Sequence, residues 1–362
     1  MARPPHLEHI IQKAAWATMA RHRAQVQDTV RCELPLSYDF GRGGRLHQLL
    51  GSQAPPAKGA GPQIVLERPY DYYAAKHGVI VPVAAIGCFT TTAKMSAMSF
   101  SLPAGPVASG GTCPAALPAV ADKLAATQPA VAAQLRPVVD PIRPFAGQRL
   151  GDYICTKCYA GKNMYVVSPL NAIRQTLRLR WTQDALAAGA FVPEMIRALQ
   201  FCRDLPVSTQ RAYGIDTRFF RIHDSGDFFS TAYWRAWVAI AAHFQARSRY
   251  IAFWAPIRMW IFPKWQALFA SDPPPENLTV RPSALSFGAP APDVDTLDAG
   301  STAAAYPMGS LAPRTGRRGP RPDMVWDCPA YTGDTEAARS CAGQKCRVCW
   351  VRPDVAVAYK EH

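Results

Sequence analysis

An alternation in the second half of the chain constrains the fold more than any other feature. A short apolar run, Arg218–His223, precedes a helix-patterned stretch, Tyr233–Gln245. A second apolar run follows at Tyr250–Trp254, then a helical segment over 262–270. Parallel strands cannot be joined by a tight turn, so strand runs separated by amphipathic helices are the pattern of βαβ units. Helical patterns at 168–187 and 190–203 come before this region, and Leu278–Val280 and Met324–Trp326 read as further strands. The expectation is an α/β protein built as a complete or partial (β/α) barrel.

The rest of the chain is placed around that core. Residues 6–31 read as a helix, "GSQAPPAKGAGPQ" as a linker, and Tyr70–Val83 as short extended segments. The small and polar stretch 84–112 reads as loops, an Ala-rich helix is expected near 115–136, and the Pro/Gly-rich 288–323 reads as an insertion. The expected organisation is an N-terminal helix and linker extension (1–83), a barrel-like catalytic domain (84–327) and a C-terminal metal-binding segment packed on it (328–362). With 362 residues, 49% of them hydrophobic, a large core is available. No apolar run approaches the ~20 residues of a membrane span, and "MARPPHLEHIIQ" lacks the apolar stretch of an export signal. A soluble cytoplasmic protein with no membrane partner is expected. The formal net charge of +14, with clusters at Arg174–Arg180 and Arg314–Arg321, suits a polyanionic partner such as DNA; solvated surface arginines are the plainer explanation.

Ten cysteines are many for a reducing compartment, where clustered thiols point to metal and scattered ones to burial. Cys113, Cys155 and Cys158 form one group. The two-residue gap of the pair lets both sulfurs reach one ion, and three thiolates leave a position open, as in a catalytic zinc or a 4Fe–4S cluster. Alternatively the pair caps a helix and Cys113 is unrelated. Cys328, Cys341, Cys346 and Cys349 form the other, with His362 at the end of the sequence. Either the four cysteines bind zinc or a cluster, or three cysteines and His362 make a zinc site with Cys328 outside it. A filled tetrahedral site would staple the C-terminus to the fold; the plain alternative is a reduced, metal-free tail.

The stretch "FFRIHDSGDFF" (Phe219–Phe229) carries the densest chemistry. Residues just past the C-terminal end of a strand line the active face of βα folds. Asp224 and Asp227 fall there, as candidates for nucleophile or general base, with His223 to orient them and Ser225 and Gly226 to contact substrate. Ser230 and Thr231 are accounted for as helix caps. The alternatives are a turn held by Asx hydrogen bonds and a core histidine. Arg258, after the next strand, suits a phosphate or carboxylate. Trp254 and Trp260 flank it and can stack on a base or fill the core, and Arg281 and Ser283 mark a third strand end.

Several stretches together resemble the phage gene product 88 family of mycobacteriophages, other phages and prophages. They are "SLPAG" (Ser101–Gly105), "TCP" (Thr112–Pro114), "CTKCYAGKNMY" (Cys155–Tyr165), "RIHDSGDFFS" (Arg221–Ser230), "FWAPIRMW" (Phe253–Trp260), "RPSAL" (Arg281–Leu285) and the terminal "CxxCW" with a final histidine. Some phage proteins of this kind are grouped with transglycosylases that exchange guanine in DNA for a 7-deazaguanine base. That resemblance implies a barrel, an aspartate nucleophile (Asp224 or Asp227), a zinc on Cys341, Cys346, Cys349 and His362, and action in the bacterial host cytoplasm. The group of Cys113, Cys155 and Cys158 has no counterpart in the related tRNA enzymes. It keeps open an iron–sulfur enzyme similar to the radical S-adenosylmethionine group, beside a non-enzymatic nucleic-acid-binding protein with two structural metals.

Overall fold

The computed structural model describes residues 63–65, 80–82, 89–92, 95–104, 111–113, 169–212, 216–284, 291–303, 325–331, 341 and 344–359. The expected helices at 6–31 and 115–136, Cys155, Cys158 and His362 lie outside the described residues. Strands β1 (Gln63–Val65) and β2 (Ile80–Pro82) pair antiparallel. The main sheet contains β3 (Thr90–Thr92), β4 (Met95–Phe100), β5 (Phe219–Ile222), β6 (Ala252–Ile257) and β7 (Leu278–Pro282), in that spatial order. β3 is antiparallel to β4, and β4 through β7 run parallel. A second, all-parallel sheet holds β8 (Ser301–Ala303), β9 (Val325–Asp327) and β10 (Ala356–Tyr359), with β10 in the middle. An isolated parallel bridge, Ser283 to Ser301, links the end of β7 to β8. The structure shows a mixed α/β protein with parallel sheets, and among the described residues no pairing joins β3 to β9.

Both faces of the main sheet are covered, which is why its strands read as near-continuous apolar runs. Phe220 and Ile222 of β5 point to one face, where they join Met98, Phe100, Phe253, Ala255 and Val280. Against this face pack α1 (Pro169–Ala187), α2 (Phe191–Arg203), α4 (Thr231–His243) and α5 (Pro263–Ser271); a short α3 (Val207–Ala212) follows α2. Helix α4 places Tyr233, Trp234, Trp237, Ile240 and Ala241 on its buried side, a spacing of one helical stripe. Ser230 is its N-cap, with Oγ accepting from Tyr233 N at 3.2 Å. The opposite face is covered by the C-terminal segment. Phe219, Met95, Ala97, Ala252 and Trp254 meet Val348, Cys349 and Trp350 of α6 (Val348–Val351) and Val355 and Val357 of β10.

Two expectations are corrected. The stretch read as loops contains β4, whose "MSAMSF" alternates between the two faces, Met95 and Ala97 to one and Met98 and Phe100 to the other. Ser96 and Ser99 interrupt this strand, so despite its burial on both faces it shows no long hydrophobic run to recognise. The second strand also runs past Trp254 to Ile257. Pro256 is tolerated because β5 pairs with β6 only as far as Trp254, so β6 is an edge on that side by then. Among the described residues no helix is long and apolar enough to cross a membrane.

Candidate active site at the strand ends

Because β4 to β7 are parallel, their C-terminal ends form one rim. After β5 the chain turns sharply. His223 adopts the left-handed region (φ 65°) and Gly226 a positive φ of 93°, where a side chain is strained. A Cβ on Gly226 would also stand 2.5 Å from Thr112 Oγ1 and 2.9 Å from Leu102 Cβ. The loops after β4 and β5 are therefore in close contact. Leu102 N donates to Ser225 O (2.9 Å), Ser225 Oγ donates to Leu102 O (2.5 Å), and Asp227 N donates to Thr112 Oγ1 (3.3 Å).

Asp227 sits at the centre of this rim, 4% exposed. Its Oδ1 accepts from Phe228 N (2.8 Å) and its Oδ2 from Arg258 N (2.9 Å), so one carboxyl group joins the ends of β5 and β6. Burial pushes its pKa up to about 7, against the opposing pull of those two N–H groups and the Arg258 charge. A carboxyl in that range can give or take a proton near neutrality. Asp224 is more open: its Oδ1 accepts from Arg221 Nη1 at 2.9 Å, with 23% of its side chain exposed.

The remaining predicted residues divide between the rim and the core. Ser225 and Gly226 hold the inter-loop contact. Arg258 follows β6 directly and lends its N–H to Asp227. Trp260 is partly buried against the main core and donates through Nε1 to Ser283 O at 2.9 Å, and Ser283 N donates to Ile257 O, tying the ends of β6 and β7. His223 is buried between Phe228 and Tyr233, its Nε2 3.2 Å from Tyr233 Oη, while Nδ1 has no hydrogen-bond partner among the described residues. Burial and the nearby Arg221 lower its pKa to about 3, so the ring is neutral. Trp254 lies within β6 on the face that meets the C-terminal segment, edge-on to Trp350 at 5.3 Å. Arg281 is fully buried, its guanidinium donating to the carbonyls of Ala299, Val348, Cys349, Arg352 and Val355. Those bonds fasten the C-terminal segment to β7.

The cysteines of that segment converge beneath the same sheet. Cys346 N donates to Cys341 O at 2.9 Å across a turn in which Lys345 is left-handed (φ 49°), and Arg347 donates to the carbonyls of both cysteines. Cys349 Sγ is 3.2 Å from Tyr359 Oη. Burial raises the Cys328 and Cys341 pKa values, and the neighbouring thiols of the group raise them further. The four sulfurs thus lie within electrostatic reach of one another. Among the described residues, however, no three His, Cys, Asp or Glu side chains are arranged to hold a metal ion. Cys113 stands next to Thr112, hence beside the Asp227 rim.

Sequence reading gave no role to Arg221, Thr112 or Tyr233. The spacing of Arg221 to Asp224 was the available signal for the first; the contacts of Thr112 and Tyr233 are tertiary and left no local trace. A family model described as Gene product 88 matches residues 74–352. No curated protein and no solved structure matches the chain.

Proposed function

The chain belongs to the Gene product 88 family, and from the rim that its Arg221–Ser230 stretch builds we propose that it is a DNA base-exchange transferase. Guanine is released from a deoxyribose, and a 7-deazaguanine base takes its place. A carboxylate attacks the anomeric carbon as the bond to guanine breaks. The incoming base then displaces the carboxylate, so no oxidant or nucleotide cofactor is needed. Asp224, the more open carboxylate, is the nucleophile. Asp227 moves the proton to the leaving base and takes one from the incoming base. The observation that carries this reading is the Asp227 carboxyl, buried at the C-terminal edge of parallel strands with its pKa raised to about 7. The net charge of +14 supports a DNA partner in the host cytoplasm. The sequential order of β4 to β7, continued through the Ser283–Ser301 bridge, supports a partial (β/α) barrel.

The soft donor set of Cys328, Cys341, Cys346 and Cys349 suits a structural zinc, which would add rigidity to the C-terminal segment rather than chemistry at the rim. His362 is the alternative fourth ligand. The test is incorporation of labelled 7-deazaguanine into duplex DNA with release of guanine. Asp224→Asn and Asp227→Asn are each expected to abolish it, and full incorporation by both variants overturns the mechanism. Zinc analysis of the same preparation tests the metal.

A second reading rests on Cys113 beside the rim: with Cys155 and Cys158 it would carry a 4Fe–4S cluster in an enzyme similar to the radical S-adenosylmethionine group. Protein purified without air and containing iron and sulfide would favour it; colourless protein with stoichiometric zinc favours the transferase.

A further inference from the structure

One side chain connects the rim to the cysteine-bearing face. Arg221 lies on β5 with its side chain on the face covered by the C-terminal segment, in register with Trp254 of β6. Register partners share a face and touch, and the guanidinium stacks over the Trp254 ring, 4.7 Å from its centre. Trp254 meets Trp350 edge-on at 5.3 Å, and Trp350 Nε1 donates to Phe220 O at 3.0 Å. From that stacked position the same guanidinium reaches the rim. Nε donates to His223 O (3.1 Å) and Nη1 to Asp224 Oδ1 (2.9 Å), with Met95 Sδ at 3.6 Å. Its charge is also felt at the Cys341 and Cys349 sulfurs.

A planar guanidinium held on a ring face and by two directed N–H bonds has little freedom left. The contacts run unbroken from Trp350 through Trp254 and the guanidinium to Asp224. We propose that Arg221 is a positioning residue that ties the placement of Asp224 at the rim to the docking of the C-terminal segment. The segment thereby acts on the reaction without touching substrate. This rests on the reading of Asp224 as the nucleophile, but the physical link itself is testable without any activity.

The link is measured by combining Trp254→Phe with Asp224→Asn and following the urea midpoint of the full-length protein. Each change weakens one anchor of the same guanidinium, by a smaller ring face or by loss of the carboxylate charge, so the double variant is expected to lose less than the sum of the single losses. In an Arg221→Met background the two losses should add. Additive losses in both backgrounds overturn the link, and Trp254→Tyr replaces Trp254→Phe if the latter does not fold. The effect on the reaction is read with Arg221→Lys, which keeps the charge and loses the two-point hold. Base exchange is expected to show kcat lowered about tenfold or more with KM within about twofold. An unchanged kcat overturns the positioning role. A wild-type protein without base exchange would refute the proposed function and leave the stability cycle to judge the link.

Discussion

Asp227 and Arg281 are opposite solutions to one problem, how to bury a charged side chain at a sheet. Asp227 is an anion that collects main-chain N–H groups from two strand ends; Arg281 is a cation that gives its N–H groups to main-chain carbonyls. The difference lies in what each can shed. A carboxyl group relieves burial by taking a proton, and its raised pKa records that tendency. A guanidinium cannot lose its proton in a protein, so Arg281 must be fully paired or unfold its surroundings. The first group is suited to proton transfer. The second is a strut.

The strut gives the largest expected effect. Arg281→Met takes a donor from five main-chain carbonyls, although Val348 O and Arg352 O keep their backbone donors, and the unfolding free energy from urea titration should fall by about 3–5 kcal/mol. A loss no greater than that of Arg235→Met, an exposed arginine of α4 that pairs with Asp272, would end the contrast. For Asp227 the expected effect depends on pH. The folded state binds its proton up to about pH 7, the unfolded chain only to about pH 4. Between those values the folded protein holds more protons, so stability falls as pH rises through the window, by up to about 4 kcal/mol. Asp227→Asn should flatten that slope, and an unchanged slope would show that Asp227 does not titrate there. Gly226→Ala tests the close contact that holds the rim: the strained φ and the clash with Thr112 should cost about 1–3 kcal/mol, measured by thermal unfolding, with base exchange falling in parallel. Ser230→Ala removes only the cap of α4 and should cost about 1 kcal/mol while leaving the Asp227 pH dependence intact.

What the sequence disclosed follows the range of the forces involved. Helices α1, α2, α4 and α5 and strand β5 were legible because a cap such as Ser230 and a stripe such as Tyr233–Trp237–Ile240 are local patterns. Asp224 and Asp227 were legible as rim residues because they follow β5 directly. Trp254 and Arg281 were assigned to strand ends, yet the pairing of β6 with β7, Pro256 opposite Arg281, draws both into the sheet. Nothing within a few residues of Arg281 announces partners between Ala299 and Val355. β4 was missed for a related reason: "MSAMSF" gains its strand character from neighbours on both sides, β3 and β5.

The partners of Arg281 also set an order of events during synthesis. β4, β5 and β6 can pair once residue 257 has left the ribosome, but the acceptors for β7's guanidinium extend to Val355, seven residues from the end of the sequence given. Until then a charged side chain waits on the last strand of the main sheet with most of its acceptors still unmade. A nascent chain of this protein therefore pairs that guanidinium only after residue 355 has been made, and a ribosome that stalls after β7 presents quality-control proteases with an unfinished sheet.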